Sequence, residues 1–379
     1  MKREHVEQLS KVYSGDQLDE QKFEKSLGIY LKETWILISE IYNSFDKSDF
    51  GIGWWKSYEN LSFEQRILIS DQLYQSIYSI QSNITEAKLH LIELLGEWEK
   101  ENRSYDEGVQ YNKGQFSIKH PLKTRPLDDL TSHMADLHLK GFLGSLTAAI
   151  DCMAAVVVGI TGIRLEIYKV GFSELENHAQ SKHFSYGNKT QKKVFEKIDK
   201  IVSSAGPSGW KRWLFDYRNM VLHRGRRIQF TQFDGRETGV LSPKGEEIIR
   251  TNLLRSLVKD PRLSNVESMR KELANVLTEH AEVTLEEILR SSIFLIEEIS
   301  KELLLVWTNR KTDHKLIEQP PEQWPKVRQD TYDFEGFSPN TLNWNVSLAF
   351  ANETVLNRIE VASLADKDSE NWKSLDKKT

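Results

Sequence analysis

LYQSIYSIQSNITEAKLHLIELLGEW, residues 73–98, places apolar side chains at Leu73, Ile77, Ile80, Ile84, Ala87, Leu91, Leu94 and Trp98. The gaps alternate four and three, the period of a helix that keeps one apolar edge turned toward a partner. That regularity predicts a long helix, packed antiparallel in a bundle rather than drawn out as an extended coiled coil. Its start is expected at Ser62, with Gln65 three residues on at capping-box spacing. The pattern fades in GEWEKENRSYDEG (96–108), which is expected to be a solvated stretch.

Working toward the N-terminus, Phe23, Leu27, Tyr30, Trp35, Ile38 and Ile41 predict a first helix over about Gln21–Tyr42. The break at Asp46–Trp54 is rich in Asp, Ser and Gly. Residues 1–107 therefore read as an N-terminal helical hairpin. Working toward the C-terminus, residues 108–127 (GVQYNKGQFSIKHPLKTRPL) are irregular and mark a linker. A helix is expected from about Asp128 and Asp129, whose charges suit a helix N-terminus. It runs into FLGSLTAAIDCMAAVVVGITGI, residues 142–163, which is long enough to span a bilayer. Asp151 near its centre is costly at mid-membrane. Gly141, Ser145, Ala148, Cys152, Ala155, Gly159 and Gly162 form a small-residue stripe on one face. A buried helix is the expectation, with the stripe a candidate for close approach at a subunit interface, and no membrane is expected as a partner.

Residues 188–204 predict an amphipathic helix with Val194, Ile198 and Ile201 inward, broken by AGPSGW at 205–210. The next helix carries Trp213, Phe215 and Tyr217, and Gly225 suits its C′ position. Residues 228–242 read as two short strands about Asp234-Gly235, a hairpin signal. A last helix is expected over about Val283–Trp307, with Thr284 and Glu287 at capping-box spacing. The tail, 311–379, reads as irregular.

Composition agrees with a mainly all-α protein. Of 379 residues only 20 are Gly and 9 are Pro. The single cysteine, Cys152, excludes an intramolecular disulfide and a cysteine-based zinc site. The N-terminal MKREHVEQLSK has no apolar signal core, so a cytoplasmic location is expected. The chain lacks the phosphate-cradling, dinucleotide, zincin and nucleophile-elbow motifs. His133, Asp136 and His138 lie close in sequence, but five positions point the two histidines differently on a helix, so no metal site is expected.

Chemistry concentrates in KRWLFDYRNMVLHRGRR, residues 211–227. Lys211, Arg212, Arg218, Arg224, Arg226 and Arg227 stand against Asp216 alone, a local charge of +5 in a chain of net charge −5. Arginine offers a planar fork that matches phosphate oxygens, and histidine exchanges protons near neutral pH. Arg218, Asn219 and His223 form R-N-x-x-x-H. On a straight helix Asn219 and His223 are about 40° apart, and Arg218 and His223 about 140°. One helix therefore does not converge arginine and histidine on one small target unless it bends or Arg218 wraps round.

This motif resembles the R-x(4–6)-H signature of the HEPN superfamily of helical-bundle ribonucleases, in which a polar residue usually follows the arginine. The resemblance extends less specifically over about residues 128–310, as the HEPN-like domain, leaving out the N-terminal hairpin and the tail. It implies a helical bundle, in which the β-hairpin at 228–242 would be a small insertion, and a homodimer whose two copies build a composite active site. It also implies metal-independent RNA cleavage without cofactor, catalysed by Arg218, Asn219 and His223. Lys211, Arg212, Arg224, Arg226 and Arg227 would grip RNA phosphates, and Trp210 or Trp213 would stack on a base. A toxin or antiviral-defence role is implied, with an antitoxin or defence-system partner. Some members carry a modifiable tyrosine two residues after the histidine. Gly225 stands there, which puts that mode of control in doubt. The competing expectation is a non-catalytic HEPN-like module that binds nucleotide or RNA or scaffolds a partner.

Overall fold

The computed structural model describes residues 27–46, 51–58, 63–111, 126–163, 165–167, 169–180, 184, 187–223, 230–233, 237–240, 281–313 and 337. Seven α-helices dominate them: α1 Lys32–Tyr42, α2 Phe63–Tyr111, α3 Pro126–Thr161, α4 Phe172–Gln180, α5 Lys189–Ser204, α6 Trp210–His223 and α7 Ala281–Thr312. Two antiparallel pairs complete the elements: β1 Phe45–Asp46 with β2 Gly51–Ile52, and β3 Phe230–Phe233 with β4 Glu237–Val240. A 3-10 helix follows β2 at Gly53–Ser57. The described protein is mainly all-α, and the hairpin expected about Asp234-Gly235 is formed, with Phe233 opposite Glu237.

Local chemistry explains most boundaries, including those that differ from expectation. Gly28 holds φ at +70°, a left-handed conformation that interrupts a helix, so α1 starts at Lys32 rather than near Gln21. The expected caps at Ser62 and Gln65 lie outside the described side chains. Helix α2 continues through the solvated stretch to Tyr111. Glu, Lys and Arg are good helix formers there, and Lys100–Glu97 (2.5 Å) and Arg103–Glu99 (3.4 Å) pair along the helix surface. Helix α3 begins at Pro126, where a missing N–H is no loss. It ends with Gly162 at φ +65°, whose N–H donates to Val158 O (2.8 Å). Helix α7 starts at Ala281, so Thr284 lies inside the first turn, buried, and is not the cap.

Helix α5 opens on a capping box that the sequence reading passed over. Asn188 Oδ1 accepts from Gln191 N (2.9 Å), and Gln191 Oε1 accepts from Asn188 N (3.0 Å). The same Gln191 donates Nε2 to Thr161 O (2.9 Å), fastening the start of α5 to the end of α3.

Contacts divide the chain into two units. The first holds Met1–Lys32, Ser79–Ile150 and Lys197–Ile299; the second holds Glu33–Tyr78, Asp151–Glu196 and Ser300–Thr379. The units alternate along the chain, and the divisions fall after the first residue of α1 and inside α2, α3, α5 and α7. Most of the 108–127 linker and of the 311–379 tail lies outside the described residues.

The first unit has an apolar core from Ile84, Leu91 and Leu94 of α2, Phe142 and Leu146 of α3, Leu214 and Tyr217 of α6, and Leu285, Leu295 and Ile296 of α7. All eight seam positions from Leu73 to Trp98 are buried, as their spacing predicts. The second unit is built about Arg310 of α7, a buried cation. Its Nη1 donates to Gly159 O (2.8 Å) and Ile160 O (2.7 Å), and its Nε donates to Tyr58 Oη (3.0 Å). Its guanidinium also lies 5.1–5.5 Å from the ring centres of Trp54, Trp55 and Tyr58. The two carbonyls belong to the last turn of α3, where they lack intrahelical donors and carry the negative end of the helix dipole. Burial lowers the Arg310 pKa from its ordinary value, and Tyr58 opposes that shift.

The small-residue stripe of α3 serves close approaches within the chain. A Cβ at Gly141 would collide with the His90 ring, and one at Gly159 would lie 2.9 Å from Leu73 Cδ1. Helix α3 is long and apolar enough over Leu130–Thr161 to cross a membrane, and 72% of its most apolar window is buried inside the structure. Asp151 is engaged locally, its Oδ1 accepting from Phe172 N (2.8 Å) at the start of α4.

Candidate functional site

The motif lies on α6, in the first unit. The loop before it turns at Gly209, φ +86°, and Trp213 N donates to Gly209 O (2.9 Å), starting the helix. Trp210 is 8% exposed, and its indole N–H points to Val202 O (3.3 Å). It packs in the corner between α5 and α6 and does not present a stacking face. Trp213 is half-buried against Tyr217, with ring centres 4.2 Å apart. Leu214, Tyr217 and Val221 turn into the core and fix the rotation of the helix.

Arg218 and Asn219 sit on the half-buried flank that this rotation leaves. Arg218 Nη1 donates to Asn219 Oδ1 (3.0 Å). Arg218 Nε is buried without an acceptor, and among the described residues no carboxylate pairs with this guanidinium. A salt-bridged structural role for Arg218 therefore finds no acid to support it there. His223 is the last residue of α6, about 7.5 Å farther along the axis than Arg218. Its side chain lies outside the described residues. The structure thus joins arginine to asparagine and puts the histidine position one and a half turns on, at the C-terminal end.

The basic window divides between the two ends of α6. Lys211 and Arg212 stand in the first turn, about 17 Å from His223 along the axis. Arg212 is exposed and faces Asp216 across 3.6 Å. Arg224, Arg226 and Arg227 lie outside the described residues.

Helix α6 rests on α3. A Cβ at Gly144 would lie 3.8 Å from Leu222 Cδ1, so the last turn of the motif helix seats where α3 has no side chain. Nearly two turns earlier on α3, His138 meets His90 of α2, with Nδ1 atoms 3.1 Å apart. Burial, followed by His138, lowers the His90 pKa, while Glu86 raises it. Ser145 Oγ donates to Glu86 Oε2 (3.3 Å). Sequence reasoning missed this pair. His90 adjoins the seam residue Leu91, and only the small residue at 141 hinted that another ring sits there. His133 is exposed, apart from the pair. Among the described residues no group of three His, Cys, Asp or Glu side chains could hold a metal ion.

No family model, no curated protein and no solved structure matches the chain.

Proposed function

We propose that this chain is a metal-independent endoribonuclease of HEPN type, acting as a homodimer in growth arrest or antiviral defence. The observation that carries the reading is Arg218: a half-buried guanidinium, held by Asn219 and paired with no acid among the described residues, in R-N-x-x-x-H. A cation so held has charge and donors left for an anion.

In the proposed reaction the ribose 2′-oxygen attacks the adjacent phosphorus. Its proton passes to a general base, the P–O5′ bond breaks, and the 5′-oxygen takes a proton from a general acid. The products are a 2′,3′-cyclic phosphate and a 5′-hydroxyl, with no change of oxidation state. The imidazole of His223 serves one of the proton transfers, worth roughly 10²–10⁴-fold. Arg218 binds the phosphate as charge develops on it. Asn219 orients the arginine through the bond just described. Arg218 and His223 diverge by about 140° on one helix, so a second copy supplies the missing half of each cleft.

The test compares wild type with Arg218→Ala and His223→Ala, by growth of expressing cells and by cleavage of defined RNAs in EDTA. Both substitutions should abolish growth arrest and slow cleavage by at least about 100-fold. Cleavage by both variants at the wild-type rate would sink the assignment. RNA binding without cleavage by wild type would favour the non-catalytic module instead.

A further inference from the structure

His90 and His138 are not explained by the proposed chemistry. Their Nδ1 atoms are 3.1 Å apart and their ring centres 5.4 Å apart. That is about as far as the centres of two imidazoles can lie at that nitrogen separation, so the nitrogens point at each other. Two nitrogens facing this way share one proton, one donating and the other accepting. A metal ion would need both lone pairs to converge on a third point, which these rings do not do. The other edge of His90 faces Gly141, where a Cβ would collide with Nε2.

The charges about the pair come from both helices. On α2, Glu86 lies one turn before His90, is exposed, and accepts from Ser145 of α3. On α3, Asp136 is paired with Lys140 (2.5 Å), and His133 is exposed. On α6, the apolar Leu222 seats at Gly144, six residues beyond His138 along α3. Among the described residues Glu86 and His138 are the charges that act on His90.

We propose that the His90–His138 contact is a pH-sensitive latch between α2 and α3, closed near neutral pH and opened when acid puts a proton on both rings. One added proton leaves a donor and an acceptor in place. The second leaves two N–H groups and two positive charges facing each other at hydrogen-bond distance. The latched stretch of α3 seats the last turn of α6 at Gly144, so opening loosens the motif helix. The sign follows from burial: the folded protein resists protonation more than the unfolded chain. The latch loses stability as pH falls below the ordinary imidazole value of about 6.5.

Hydrogen exchange on the full chain tests this, independently of any ribonuclease activity. Exchange corrected for intrinsic rates is compared at about pH 7.5 and about pH 5 for residues 84–95, 134–146 and 214–223. Roughly tenfold lower protection in acid is expected for these segments in wild type. The acid response should be much smaller in His138→Phe, which keeps a ring against His90 but removes the second proton. Unchanged protection in wild type, or a response as large in His138→Phe as in wild type, overturns the latch. Should that variant fail to fold, histidine-labelled NMR of wild type decides. A second protonation clearly below the ordinary value supports the latch, and two independent titrations at it refute the latch.

Discussion

Arg310 brings a full charge into the interior of its unit, and three kinds of contact hold it there: two carbonyls at the end of α3, the hydroxyl of Tyr58, and the faces of three aromatic rings. Nothing in the spacing around 310 announces this. The residue reads as a basic last-turn position on α7, where cations are common, and its acceptors lie 150 to 252 residues upstream. Removing the side chain strands three acceptors, each worth about 1–3 kcal/mol when buried and unpaired, against the relief of a desolvated cation. Arg310→Met should therefore lose about 2–4 kcal/mol in chemical denaturation, and stability equal to wild type would show the cage to be ornamental. Gly141 makes a similar point with competing signs. Glycine to alanine within a helix ordinarily gains about 1 kcal/mol. Here the new methyl collides with a ring tied to His138, and overpacking costs about 1–3 kcal/mol. Gly141→Ala should destabilise, as read by its denaturation midpoint; a gain would mean that His90 swings free at no penalty.

Helices were the most legible level. The seam from Leu73 to Trp98 is buried throughout because its period leaves one solution for a helix with an apolar edge. Ends were harder to read. Helix α2 outlasts its apolar pattern because surface pairs and good helix formers sustain it to Tyr111, and no hydrophobic period reports those terms. Their individual worth is small: breaking Arg103–Glu99, both sides exposed, should cost no more than about 0.5 kcal/mol. The cap of α5 is worth more. Asn188→Ala removes the acceptor of the Gln191 N–H and should cost about 1 kcal/mol by thermal or urea unfolding. A loss below the error of the method would mean that the box contributes nothing in solution. Helix α4 escaped notice because it has only nine residues, too few for a period to establish itself.

At the scale of the molecule, the boundaries between two units run through helices, and each unit has its own core. A reading along the chain looks for boundaries at Pro, Gly and polar runs. It does not see a division that passes through the middle of α2, α3 and α7, because the apolar seam is continuous there. The candidate site was legible in part for a related reason. A motif within one helix is visible in one stretch of sequence, whereas His90 and His138 are 48 residues apart and meet only when α2 packs on α3. The central claim concerns what the motif helix does to RNA. Its most direct test is the chemistry of the cut ends, determined by mass spectrometry of a defined RNA incubated with the full-length protein in EDTA. The account predicts 2′,3′-cyclic phosphate and 5′-hydroxyl ends, and almost no product with His223→Ala. Intact RNA with wild type, cutting that needs added divalent metal, or the same ends at the same rate with His223→Ala would contradict it.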